Sequence, residues 1–154
     1  MNIFNDDFLE FINALNLNGV RYILVGGYSV ILHGYPRTTG DLDIWVENNE
    51  DNYRKLEKAF KAFRLPTFDM TLENFMNTDK FDVFRFGRQP IAIDIITQLK
   101  GIRFDNAWEN VETQKFEGIS VNYISYSDLL TAKKASGRAR DINDIDNLRT
   151  KREE

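Results

Sequence analysis

The chain has 154 residues, 42% of them hydrophobic and 13% aromatic, with a formal net charge of -4. That composition suits one compact domain with an apolar core, excludes a disordered chain, and gives no bulk sign of general nucleic-acid binding. With no cysteine and one histidine, His33, it excludes disulfide scaffolds, thiolate chemistry and imidazole-built zinc sites, so any metal must be held mainly by oxygen.

The opening stretch MNIFNDDFLEF is acidic and lacks a long apolar core, and no apolar run is long enough to cross a bilayer. The expectation is a cytoplasmic protein with no membrane partner. Residues 6–17 carry Phe8, Leu9, Phe11, Ile12 and Leu15 at helical spacing, with Asp6 as the expected cap and Asn18-Gly19 as the stop. Residues 20–25 (VRYILV) read as a buried strand running into Gly26-Gly27, then a short helix ending at Gly34 and a loop enforced by Pro36. DLDIWV (41–46) is a second strand and residues 49–63 an amphipathic helix.

Residues 66–80 show no decisive pattern. A hairpin follows, 81–86 and 91–97 joined by GRQP, then a strand over 119–124. Residues 126–136 read as a helix capped by Ser127 and broken at Gly137. A last helix over 141–152 is expected to turn Ile142, Ile145 and Leu148 inward. No internal repeat or low-complexity linker interrupts the chain. The order predicts an α+β (mixed α/β) fold: a single domain over 1–154, a mixed sheet flanked by helices, with 126–152 as a C-terminal helical element.

Strand alternation puts Asp41 and Asp43 on one face, with Leu42 and Ile44 on the other. Two carboxylates this close both stay ionised only with a cation between them, and a divalent metal is one such cation. A solvated strand face with two incidental acids is the plainer alternative. Asp94 stands alone as a charge in the aliphatic strand IAIDIIT, on the face of Ala92 and Ile96. Burying it is costly unless it is metal-bound or paired, for example with Arg85. If its strand lies beside Asp41 and Asp43, three carboxylates converge, a set able to hold two magnesium ions about 3.5–4 Å apart for phosphoryl transfer.

Gly26 and Gly27 let the backbone approach a ligand, and free N–H groups at the following helix start favour a phosphate, with Ser29 adding a hydroxyl. This is neither a Walker P-loop nor a GxGxxG fingerprint, and a simple tight turn is the alternative reading. Arg37, four residues before Asp41, can neutralise a phosphate or pair with an acid, and Thr39 can line or cap the same loop. His33 reads as structural. Lys133, Lys134, Arg138, Arg140, Arg149, Lys151 and Arg152 form a basic concentration suited to triphosphate or an RNA end, or to balancing Asp141, Asp144 and Asp146. Arg138 and Asp141 can instead form a structural pair at the turn between the last helices. Phe60, Phe63, Phe81, Phe84 and Trp45 are expected in the core.

Gly26-Gly27, thirteen residues, then Asp41-Leu42-Asp43-Ile44, with Asp94 on a later strand, resembles the signature of the DNA-polymerase-β-like nucleotidyltransferase superfamily. GYPRTTGDLDIWV is especially similar to its small bacterial members, the minimal and the abortive-infection toxin-type nucleotidyltransferases. DLLTAKKASGRARDINDIDNL resembles their tail, a lysine helix followed by an Arg-x-x-Asp element. The resemblance implies that Asp41 and Asp43 hold metal ions, two Mg2+ or alternatively Mn2+, together with the nucleotide phosphates. It implies that Asp94 completes the metal site and assists deprotonation of the acceptor hydroxyl. Gly26, Gly27 and Ser29 would touch the triphosphate, and Lys133 matches the family's nucleotide-reaching lysine. The implied reaction moves a nucleoside monophosphate from an NTP, ATP among the candidates, to a hydroxyl, releasing pyrophosphate.

The acceptor stays open between RNA, protein and a small molecule such as an antibiotic. The short chain leaves little room for an acceptor domain, which favours RNA or protein as acceptor and a partner protein or a homodimer to complete the site. Two other functions compete. The DxD of a metal-dependent glycosyltransferase explains Asp41 and Asp43 but neither the glycines nor Asp94. A non-catalytic member of a toxin–antitoxin pair, binding nucleotide or a partner, has no need to keep a costly cluster of like charges.

Overall fold

A computed structural model describes residues 3–88 and 91–153. The first helix, α1 (Asp6–Leu17), is capped by Asn5, whose side chain accepts from the Phe8 N–H at 2.8 Å, so the cap lies one residue before the expected Asp6. Asp6 and Asp7 instead fill the first turn, where carboxylates favour the positive end of the helix dipole. Strand β1 (Tyr22–Val25) leads directly into α2 (Gly26–Leu32), so the helix begins at the glycines rather than after them. Strand β2 (Asp41–Val46) is followed by α3 (Glu50–Ala62), capped by Asn49, and a short α4 (Leu72–Met76) inside the stretch that had no decisive pattern.

The hairpin is β3 (Val83–Arg88) and β4 (Ile91–Ile96), with the tip of its expected GRQP turn, 89–90, outside the described residues. Two further elements had no counterpart in the sequence reading: α5 (Phe104–Glu109) and β5 (Glu112–Phe116). Strand β6 (Ile119–Tyr123) and helices α6 (Tyr126–Ser136) and α7 (Ala139–Glu153) complete the chain. The cap of α6 is Ser125, not Ser127: its hydroxyl accepts from the Asp128 N–H at 3.2 Å. Gly137 closes α6 with φ 65°, a left-handed turn that glycine adopts without strain.

The sheet has six strands in the order β3-β4-β2-β1-β6-β5. It is mixed: β2 pairs parallel with β4 and β1 parallel with β6, while the remaining pairs are antiparallel. Helices α1 and α3 cover one face, where Phe11, Leu15 and Phe60 bury against Leu24, Leu42, Ile44 and Ile95. The opposite face carries Ile23, Val25 and Trp45 under Ala107 of α5, Leu129 of α6 and Leu148 of α7. Alternation along β2 thus sends Leu42 and Ile44 into the first core and Asp41 and Asp43 toward the second.

Helix α7 departs from its expected register. Its buried stripe is Asp141, Asp144, Ile145 and Leu148, while Ile142 is 53% exposed. The stripe keeps the i, i+3, i+4, i+7 spacing of an inward helix face, but two of its members are acids. Buried acids persist only when paired, and their partners lie at the site described next.

Candidate active site

The pairing of three strands builds the site. In the parallel β2–β4 pair Asp43 lies opposite Asp94, and in the antiparallel β3–β4 pair Arg85 lies opposite Asp94. Registered neighbours share a face, so Asp41, Asp43, Asp94 and Arg85 meet there. The Arg85 guanidinium forks onto Asp94, Nε donating to Oδ1 and Nη2 to Oδ2, both at 2.9 Å. Nη2 also donates to Asp41 Oδ2 at 3.0 Å. Arg85 therefore takes the place the sequence offered it as an ion partner for Asp94. Together the two acids raise its already high pKa, the Asp94 hydrogen bonds contributing most.

Asp43 has a different environment. Burial pushes its carboxyl up from the ordinary 3.8 to about 7, helped by the charges of Asp94 and Asp41 and by a hydrogen bond shared with Asp94, and opposed by Lys133. Among the described residues no group of three or more acidic, histidine or cysteine side chains stands as a ready metal cage. The donor chemistry nevertheless suits a hard divalent ion. Three carboxylates from two adjacent strands supply only oxygen, and burial beside two other acids disfavours the Asp43 anion in the absence of a cation.

The glycines are fitted to these side chains. Gly26 has φ 70°, and a Cβ there would collide with the Asp43 carboxylate. A Cβ at Gly27 would lie 2.5 Å from Thr39 Oγ1 and 3.2 Å from Arg37 Nη2. The turn, the Arg37–Thr39 loop and Asp43 thus pack against one another with no room for a side chain between them. Ser29 lies beneath. It is fully buried and its hydroxyl donates to the Gly26 carbonyl at 2.6 Å, so it fixes the turn from inside and does not face solvent.

A second charged cluster adjoins the first. Lys133 on α6 is buried and reaches Asp141 Oδ1 at 3.2 Å and Asp144 Oδ2 at 3.0 Å. Arg37 meets the same Asp144, Nε lying 3.1 Å from Oδ1. Arg138 donates to Asp141 through its backbone N–H and, at 2.7 Å, through Nε. Burial alone would raise the Asp141 carboxyl. Hydrogen bonds from Arg138 and Ser136 and the nearby Lys133 reverse this and hold it at about 2. The pairing of Arg138 with Asp141 was expected. The balance of Lys133 against Asp144 was offered too; the reach of Arg37 to Asp144 was not, because the two lie 107 apart in sequence.

A cavity of about 110 Å³ between the clusters is lined by Gly26, Asp43, Leu129, Lys133, Arg138 and Asp141, among others. Leu99 lines both this cavity and a wider one of about 770 Å³ beside Trp45, Thr97 and Phe104. His33 is structural. Its Nε2 sits 2.7 Å from the Ile124 carbonyl oxygen, and its ring packs edgewise on Tyr123 and Tyr126.

A mixed sheet with helices on both faces, a glycine turn abutting an Asp-x-Asp strand and a third aspartate on the adjacent parallel strand defines a nucleotidyltransferase fold. The chain belongs to the family described as "Nucleotidyltransferase of unknown function (DUF6036)", which matches residues 6–151, and it is a small nucleotidyltransferase. Among solved structures it is similar to the lincomycin-bound lincosamide antibiotic adenylyltransferase LnuA, with TM-score 0.55 and 16% identity over 97% of this chain and 99% of that one. It is similar to a putative nucleotidyltransferase from Thermotoga maritima, with TM-score 0.55 and 14% identity over 93% of this chain and 90% of that one. An antigenic nucleotidyltransferase-like protein from Paracoccidioides brasiliensis matches with TM-score 0.50 and 16% identity, over 94% of this chain and 77% of that one. No curated protein matches at a significant level. Among the described residues no helix is long and apolar enough to cross a membrane.

Proposed function

We propose that the chain works as one domain that transfers a nucleoside monophosphate from a metal-bound NTP to a hydroxyl. The observation that carries this reading is the convergence of Asp41, Asp43 and Asp94 on one sheet face, against a turn that only glycine fits. The acceptor oxygen bonds to the α-phosphorus, the bond from that phosphorus to the bridging oxygen breaks, and pyrophosphate leaves with the electron pair. The hydroxyl proton passes to a carboxylate, assigned to Asp94. Asp41, Asp43 and Asp94 would hold Mg2+ or Mn2+, which neutralises phosphate charge and polarises the reacting oxygens when bound. Gly26, Gly27, Thr39, Arg37 and Lys133 are assigned to the triphosphate, Gly26 and Lys133 lining the cavity of about 110 Å³ beside Asp43, and Ser29 acts through the shape of the turn. Orientation and charge neutralisation supply the catalysis, since this chemistry needs no covalent step on the protein.

A small-molecule acceptor is the second reading, and one observation favours it. LnuA aligns nearly end to end with this chain, and that equally short protein is lincomycin-bound. Short length is therefore no argument against a small hydroxylated acceptor here. The cavity of about 770 Å³ beside Leu99 has the size of a small-molecule pocket. An RNA or protein acceptor, met with a partner or a second subunit in a toxin-like role, is the other reading.

The test is calorimetric titration with each of the four NTPs, with and without Mg2+, on the wild type and on Asp41→Asn/Asp43→Asn. The expected result is Mg2+-dependent binding of at least one NTP that the double variant loses. Equal binding by both proteins would remove the nucleotide from these carboxylates.

A further inference from the structure

The contacts of Arg85 lead beyond that reading while resting on it. Arg85 lies on β3, an edge of the sheet, and its side chain is 45% exposed, whereas that of Asp94 is 10% exposed. Its planar fork takes both Asp94 oxygens, and one of its nitrogens also takes Asp41 Oδ2. A divalent ion coordinated by Asp41 and Asp94 would draw on the same carboxylate oxygens. The guanidinium charge, held a few ångströms away, opposes its entry.

We propose that Arg85 is a built-in competitor for the metal. The ion joins Asp41 and Asp94 only as the guanidinium leaves, and the exposed edge position lets it leave toward solvent. A triphosphate arriving there offers the released guanidinium anionic oxygens in exchange for the carboxylates, a pairing for which a guanidinium fork is well shaped. Metal alone thus binds weakly, and metal and nucleotide bind cooperatively. The device keeps the carboxylates paired until substrate is present and makes nucleotide occupancy the condition for loading the ion.

The experiment is calorimetric titration with Mn2+, alone and with an NTP present, on the wild type, Arg85→Lys and Arg85→Met, with thermal unfolding as the check on folding. Arg85 is 45% exposed, so its replacement opens no core cavity, and Arg85→Lys, which keeps a charge beside Asp94, is the milder variant should Arg85→Met lose stability. The affinity for Mn2+ alone should rise by about tenfold in Arg85→Met, the scale set by removing one neighbouring charge from a site of intermediate dielectric. Arg85→Lys should fall between, since an ammonium keeps the charge but cannot fork. The gain in Mn2+ affinity from added NTP should shrink in Arg85→Met, and the Arg85→Met effect should vanish in an Asp94→Asn background.

Unchanged or weaker Mn2+ binding by folded Arg85→Met would overturn the proposal and make Arg85 a fixed partner of Asp94. If that happened while the wild type still bound Mg2+–NTP through Asp41 and Asp43, the nucleotidyltransferase site would stand and only the competition would fall. Absence of Mn2+ binding by every protein, even with NTP, would overturn both.

Discussion

Two charged clusters flank the same glycine turn and are built on opposite principles. On the sheet, Arg85 joins Asp41 to Asp94, and Asp43 carries a carboxyl raised to about 7. Between α6 and α7, Asp141 and Asp144 meet Lys133, Arg37 and Arg138, and Asp141 is held at about 2. The first brings three acids together on one sheet face, and the second sets two acids among three basic side chains. The first holds Asp43 in a setting unfavourable to its anion, which fits the cation site proposed there. The second is closely paired and buried, which ties α7 to α6 and to the Arg37 loop.

Removing acids should therefore have opposite effects in the two places. The largest expected effect is in the clamp. Asp141→Ala leaves buried Lys133 with half its pairing and should lower unfolding free energy by about 3 kcal/mol in urea titrations, on the scale of broken buried ion pairs. Next is the turn. Gly26→Ala forces an alanine to φ 70° and its Cβ into Asp43, and should cost about 2 kcal/mol and weaken Mg2+–NTP binding.

The smallest effect should have the reverse sign. Asp43→Asn removes a carboxylate that the fold holds in an unfavourable setting, and should raise stability near neutral pH by about 1 kcal/mol, measured without metal. The sign follows from proton binding. Between about 4 and 7 the folded protein retains a proton on Asp43 that the unfolded chain has released, so wild-type stability falls as pH rises through that window. Asp43→Asn should flatten that slope. Asp141 acts in a separate window. Its contribution is present above about 4 and is lost as pH falls toward about 2.

Much of this architecture is legible in the sequence where local pattern and tertiary role coincide. The spans of α1 and β2 follow from apolar spacing, because those elements bury one stripe or strand face, and the end of α6 follows from its glycine stop at Gly137. Strand β5, ETQKF, was hidden because most of it is exposed on a sheet edge and carries no apolar alternation. Helix α5 is six residues long and buries only Ala107, too short a stripe to show a period. The error over Ile142 came from counting only apolar residues, when the true inward face includes two acids. In the site, alternation and the odd charge in IAIDIIT led to Asp41, Asp43 and Asp94, and to Arg85 as an ion partner. For Asp144 only the balance with the C-terminal bases was legible. Its pairing with Arg37 depends on a loop 107 away in sequence.

The measurement that tests the contrast most directly is made on Asp43→Asn alone, by urea unfolding at pH 7 without metal and titration of the same preparation with Mg2+ and NTP. The account predicts a protein more stable than wild type that no longer binds Mg2+–NTP. A less stable protein that binds as before would show Asp43 to be part of the scaffold and would contradict the account.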